Sequence, residues 1–175
     1  MLVFLDFEAS SLSKTSFPIE IGWVFEDGKG EGHLIKPAPG WTDWDESAAK
    51  IHGISRAQLE RQGTPHDEIC RHMIDSLTGH ALFASAPSWD GKWLSVLLRA
   101  AGFPRHLLRL QDSEDAFVAA AAARLAIAAD GAATNPLVVA AIAAARAKVE
   151  AKPVAHRALE DARREREIWV EVERG

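Results

Sequence analysis

Two acids, Asp6 and Glu8, close the apolar run Leu2-Val3-Phe4-Leu5-Asp6-Phe7-Glu8. Side chains on a strand alternate faces, so acids two apart point the same way. The density of Val, Leu and Phe marks a buried strand, and burying two like charges side by side is costly. A divalent cation removes that cost, because hard ions such as Mg²⁺ take oxygen ligands. Taken alone, the pair also fits two solvated acids at a fraying strand end. Ser10, Ser11 and Leu12 follow, so the chain leaves the strand at the acids, where open α/β sheets place their ligands. A third acid, Asp90, comes after the apolar run His80-Ala81-Leu82-Phe83-Ala84-Ser85, at the start of a helical stretch. An acid there also favours the helix dipole without any ligand. The stretch Val154-Ala155-His156-Arg157-Ala158-Leu159-Glu160-Asp161-Ala162 then places a histidine and an acid five residues apart where the last helix begins.

These groups meet only if strands and helices bring them together. Residues 18–25 read as a second strand, Asp27-Gly28 as a two-residue hairpin turn, and His33 to Lys36 as a third strand stopped by Pro37. Glu20 interrupts the second strand and reads as a hydrogen-bonding residue rather than a ligand. His80 to Ser85 and Leu107 to Gln111 complete five strands. Helical signals lie between them. Trp44, Ala48 and Ile51 form a stripe, and Ser55 opens a helix with the form of a capping box. Thr64-Pro65 reads as an N-cap followed by proline at the first helical position, with Ile69, Met73 and Leu77 turned inward. His66, Cys70 and His72 on that helix have no spacing suited to a metal. Ser88 reads as the N-cap of a helix that buries Trp93, Leu94, Leu97, Leu98 and Ala101. Asp112 or Ser113 caps an alanine-rich helix, and Asn135-Pro136 opens another. In the last helix Ala158, Ala162, Trp169 and Val172 line one side. Arg163, Arg164 and Arg166 alternate with Glu160, Glu165 and Glu167 as a solvated, salt-bridged face.

Composition bounds the function. A chain of 175 residues, 47% hydrophobic, is expected to be one globular domain over 1–175. A formal net charge of −5 argues against a passive, charge-driven nucleic-acid binder, but not against an enzyme whose acids are neutralised by metal. A single cysteine, Cys70, excludes an internal disulfide framework and fits a reducing cytoplasm. The apolar start has no basic leader and breaks at Asp6, so it reads as neither a signal peptide nor a membrane span.

The ordered set Asp6-Phe7-Glu8, Asp90, and His156 with Asp161 five residues on resembles the DEDD superfamily of 3′–5′ exonucleases. The histidine spacing resembles the DEDDh branch, which includes ribonuclease T, oligoribonuclease and polymerase proofreading subunits. Ile51-His52-Gly53-Ile54-Ser55 and Pro18-Ile19-Glu20-Ile21-Gly22 resemble segments of that branch too. The resemblance covers essentially the whole chain. It implies an α/β, ribonuclease H-like fold: a five-stranded mixed sheet flanked by helices. Two departures stand out. Ala9 occupies the usual threonine position after Asp-x-Glu, and Ala84-Ser85-Ala86-Pro87 replaces the usual Ala-His-Asn-Ala. Neither removes a ligand.

The implied chemistry explains the residue types. Phosphodiester hydrolysis needs an activated water, a shielded phosphate and a stabilised leaving oxygen, which two cations about 4 Å apart supply. By resemblance Asp6 bridges two Mg²⁺ or Mn²⁺ ions, and Glu8, Asp90 and Asp161 share the remaining positions. On the same resemblance His156 would be the general base, an imidazole being a usable base near neutral pH. The same resemblance makes Leu12 a wedge against the terminal base, with Ser10 beside it as a second substrate contact; read from the sequence alone, Leu12 equally fits a loop residue packing on the core. The expected activity is release of nucleoside 5′-monophosphates from single-stranded 3′ ends, RNA or DNA. No membrane is implied, and a homodimer is compatible, several small relatives being dimers. Two alternatives stand at this point: a non-catalytic nucleic-acid-binding or scaffolding protein, and a phosphatase or small-molecule phosphodiesterase using the same metals.

Overall fold

The computed structural model describes residues 1–151 and 156–175; Val154 and Ala155, which open the histidine stretch, lie outside them. The first strand, β1 (Leu2–Ala9), runs through the middle of a mixed sheet. It pairs antiparallel with β2 (Pro18–Phe25), which pairs antiparallel with β3 (Gly30–Lys36). On the other side β1 runs parallel to β5 (Ala81–Ala84), and β5 runs parallel to β6 (Leu110–Asp112). The sheet has six strands rather than five. The sixth is β4 (Thr64–Pro65), in which the expected helix cap instead pairs parallel with Ile35 and Lys36. An X-Pro pair is biased to extended backbone, and the edge position does not need the missing proline N–H.

The alternation of β1 divides the core. Val3, Leu5 and Phe7 face one side, packed with Ile69, Met73 and Leu77 of α3 (His66–Leu77) and Trp93, Leu94, Leu97 and Leu98 of α4 (Pro87–Ala100). Phe4 faces the other, against α5 (Ser113–Arg124), α6 (Pro136–Glu150) and α7 (Ala158–Arg174). Phe4 lies near parallel to Phe117 at 6.3 Å between centroids and meets Trp169 at 6.0 Å. Burying such a ring contributes on the order of 1.5–3 kcal/mol. Asp6 and Glu8 share the Phe4 face, so α7 crosses the sheet at the acids.

Smaller helices close one end. In α1 (Glu46–His52) the expected stripe is out of phase: Ile51 is 61% exposed and His52 turns inward. The Asp45 cap and the left-handed Gly53 (φ 70°) set this phase, with the His52 ring accepting the Ile54 N–H at 3.1 Å. Ser55 caps α2 (Arg56–Gln62) as expected, accepting from the Gln58 N–H, and Ile54 and Leu59 pack on Phe17 and Ile19. Helix α4 starts one residue before Ser88, with Pro87 in its first turn. Asp112 caps α5 and Asn135 caps α6. The hairpin between β2 and β3 takes four residues, closed by the Gly28 N–H on the Phe25 carbonyl, with Gly28 at φ 92°. Strand β3 therefore starts three residues earlier than expected. Among the described residues no helix is long and apolar enough to cross a membrane.

Candidate active site

Helix α7 is fastened over the acids at its N-terminal end. Glu20, buried on β2, accepts the Ala158 N–H at 3.0 Å and the Arg157 Nε on both oxygens, at 3.0 and 3.1 Å. The expectation of a hydrogen-bonding role for Glu20 holds in this form. Gly22 lets the helix lie close, since a Cβ there would overlap the backbone of Ala158 and Leu159. At the far end of β2, Arg166 donates from Nε and Nη2 to the Glu26 carbonyl, at 2.9 and 2.7 Å.

This placement brings Asp161 onto the strand acids. Carboxylate oxygens of Asp6, Glu8 and Asp161 lie within 4.8 Å of one another. Asp90 stands outside that trio, at the start of α4. It is only 2% exposed, with Oδ1 accepting the Phe7 N–H at 3.3 Å and Oδ2 buried without a partner. His156 stands exposed just before α7, near enough for its charge to act on Asp161. Its φ of 46° is shared, among described non-glycine residues, only with Ala126 at 54°. Such left-handed backbone is sparsely populated and recurs at functional sites.

The electrostatics are those of a pocket short of positive charge. Burial pushes the Asp6 carboxyl well above its ordinary range, and Asp90, Glu8, Asp161 and Glu165 push it further. Glu8 rises to about 7, through burial first and then Asp161 and Glu20, with Arg157 opposing. Asp90 also rises to about 7, because burial outweighs the backbone N–H groups that oppose it, that of Phe7 on β1 first. Asp161 is raised by burial, against the pull of His156 and Arg164. Glu165 sits one turn beyond Asp161. The salt-bridged face expected of it is corrected here: its Oε2 is buried without a partner, burial raises its carboxyl against the Ser113 hydroxyl and Arg146, and its charge reaches Asp6 and Asp90. Charge alternation concealed it, because a helix carrying both signs every few residues looks solvated on every side.

Three converging carboxylates plus orphaned oxygens on Asp90 and Glu165 fit a hard divalent cation. Asp6, Glu8 and Asp161 would hold it, with Asp90 alongside.

The loop leaving β1 forms the rim. Ser10, placed by sequence among substrate contacts, is buried, donating to Asp43 Oδ2 at 2.9 Å and accepting the Phe17 N–H at 3.1 Å. Ser13 and Thr15 donate to the other Asp43 oxygen, at 2.7 and 3.2 Å. Lys92 Nζ reaches the Ser16 hydroxyl at 2.8 Å and lies 5.0 Å from the centre of the Trp89 ring. Leu12, 70% exposed, stands at this rim, and a shallow recess is lined by Leu12, Ser13, Lys14, Ser88, Trp89 and Lys92. Sequence reasoning missed Trp89 and Lys92; the signal available was a tryptophan directly beside Asp90, and its exposure is visible only in the structure.

No family model matches the sequence, and no curated protein matches it. Solved structures do. The chain is similar to exonuclease I from Methylocaldum szegediense, at TM-score 0.58 and 16% identity, over 71% of this chain and 30% of that one. It is similar to the zinc-bound form of the E. coli exonuclease I–single-stranded DNA complex, at TM-score 0.65 and 15% identity, over 94% of this chain and 38% of that one. E. coli exonuclease I in complex with a dT13 oligonucleotide matches at TM-score 0.55 and 16% identity, over 71% and 30%. The chain spans 30–38% of the length of these exonuclease I structures. The chain therefore shares the fold of these exonuclease I structures, the ribonuclease H-like α/β arrangement that the family resemblance implied.

Proposed function

We propose that the chain is a metal-dependent 3′–5′ exonuclease domain acting on single-stranded nucleic acid. The observation that carries this reading is the convergence of Asp6, Glu8 and Asp161 under the start of α7, beside a buried Asp90 with an unpartnered oxygen. A protein that only bound nucleic acid would gain nothing from crowding like charges in this way. Two divalent ions, Mg²⁺ or Mn²⁺, would supply charge neutralisation at the scissile phosphate and acidify the attacking water. Asp6, Glu8, Asp90 and Asp161 hold the charge that binds them. His156 receives the proton of the attacking water on a ring nitrogen, and its exposure gives that water access. The Glu20–Arg157 pair fixes the backbone that presents His156. Leu12 and Trp89 offer apolar faces to the terminal base, since base–aromatic stacking is worth about 1–3 kcal/mol per base. Lys14 and Lys92 supply positive charge to phosphates along the same rim. The reading extends to one domain over 1–175 and to a cytoplasmic enzyme.

Single-stranded DNA is the first substrate to test, because the similar exonuclease I structures include complexes with it; a matched RNA is the comparison. A 5′-labelled oligonucleotide should shorten from its 3′ end in Mg²⁺ or Mn²⁺, stay intact in EDTA, and resist when the 3′-hydroxyl is blocked. Equal degradation of the blocked oligomer would contradict the direction. Metal-dependent binding without cleavage would favour the scaffold reading.

A further inference from the structure

A second cluster of metal-type ligands lies on the opposite face of the sheet. Glu31 and His33 are two apart on β3, so their side chains share a face. Their strand partners are Trp23 and Ile21, which pack on the α3–α4 side, whereas Asp6 and Glu8 face α7. His72 reaches the same point from α3. His33 Nε2 and His72 Nε2 converge on one oxygen, Glu31 Oε2, at 3.0 and 2.9 Å. The three ligand atoms lie within 4.8 Å of one another. The imidazoles meet edge to face at 5.4 Å, and the Trp23 ring packs against both, at 5.2 and 5.6 Å between centroids.

We propose that Glu31, His33 and His72 form a binding site for a borderline divalent transition metal of the Zn²⁺ class, tying α3 to β3. Two imidazole nitrogens and one carboxylate oxygen suit Zn²⁺, Co²⁺ or Ni²⁺ and disfavour Mg²⁺. A tetrahedral ion with ligand bonds of about 2.0–2.2 Å sets its ligands roughly 3.3 Å apart, close to the separations here. Three protein ligands leave a fourth position for water. The indole of Trp23 walls the inner side of the site, which holds the rings in orientation and lowers the local dielectric. His72 and Glu31 keep 45% and 40% of their side chains exposed, so the ion has a route in from solvent. The sequence concealed the site because His72 lies 41 residues from Glu31 and the strand begins earlier than its apolar pattern suggests.

The test separates this site from the acid pocket. The full chain is held in excess Mg²⁺, and Zn²⁺ is titrated by calorimetry, with Co²⁺ visible absorption as a second readout. Four proteins are compared: wild type, His33→Gln, His72→Gln, and an Asp6→Asn/Asp161→Asn double variant. The acid-pocket variant should bind one Zn²⁺, and wild type should show the same tetrahedral Co²⁺ band with at least that one equivalent. His72→Gln, at an exposed position, should fold normally by circular dichroism, lose the Co²⁺ band and bind Zn²⁺ about 100-fold more weakly or not at all, a ligand mattering at least as much as an outer-shell partner. Wild-type binding no tighter than that of the folded histidine variants overturns the proposal. So does an acid-pocket variant that binds no Zn²⁺ while it remains folded. These outcomes leave the nuclease reading untouched, because none of them depends on turnover.

Discussion

At the scale of single residues the proposed mechanism separates holding charge from moving a proton. His156 projects from a left-handed backbone position, exposed, ahead of the helix that carries Asp161. Its replacement by alanine should lower the hydrolysis rate about 10²- to 10⁴-fold, the usual contribution of a positioned general base, and leave metal affinity unchanged. Single-turnover rates and Mn²⁺ titration check both halves. A loss of metal affinity matching that of Asp6→Asn would contradict the division. Leu12 and Trp89 should behave differently from His156. Trp89→Ala is expected to raise KM for short oligonucleotides, each stacked base being worth about 1–3 kcal/mol, with little change in kcat. An unaltered KM would remove Trp89 from the substrate path.

At the scale of elements, α7 is the part on which the site depends. Gly22→Ala should be much more disruptive than an ordinary glycine substitution, because the new Cβ would overlap the backbone of Ala158 and Leu159. Expected are a lowered melting temperature and loss of divalent-metal response together, since the helix that brings Asp161 must move. Gly32→Ala should be less disruptive though still costly, its Cβ meeting the Leu159 Cβ at 2.9 Å where a Cβ at Gly22 would meet backbone atoms closer still. Equal melting curves for the two variants would contradict this account of the close approach. Local sequence patterns explain which of these features were legible beforehand. The acids, His156, the Ser55 and Asn135 caps and the buried faces of α3 and α4 announce themselves through neighbours a few residues away. The Thr64–Pro65 strand exists only because Ile35 and Lys36 offer an edge, and His52 rather than Ile51 turns inward because the Asp45 cap sets the helix phase. Glu165 and the Glu31–His33–His72 cluster likewise depend on pairings across tens of residues, which no local window contains.

At the scale of the whole molecule, the crowded carboxylates couple folding to protons and, on the proposed reading, to metal. An acid whose folded pKa exceeds its unfolded value weakens the fold as pH rises from the unfolded value to the folded one, and the cost is complete above it. Glu8 moves from 4.5 and Asp90 from 3.8, both to about 7. Metal-free protein should therefore lose stability through that window, and Asp90→Asn should flatten the decline in melts between about pH 4 and about pH 7. An unchanged slope would mean that the pocket does not carry the strain. The most direct measurement is thermal melting of wild type and Asp6→Asn at neutral pH, in EDTA and in increasing Mg²⁺, an ion the histidine cluster does not favour. Ions that bind only the folded state raise its melting temperature as their concentration passes the dissociation constant. Wild type should gain stability in this way, while Asp6→Asn should melt at or above wild type in EDTA and gain less from Mg²⁺. If Asp6→Asn instead melts lower in EDTA and keeps the full Mg²⁺ gain, the acid cluster is not a metal site.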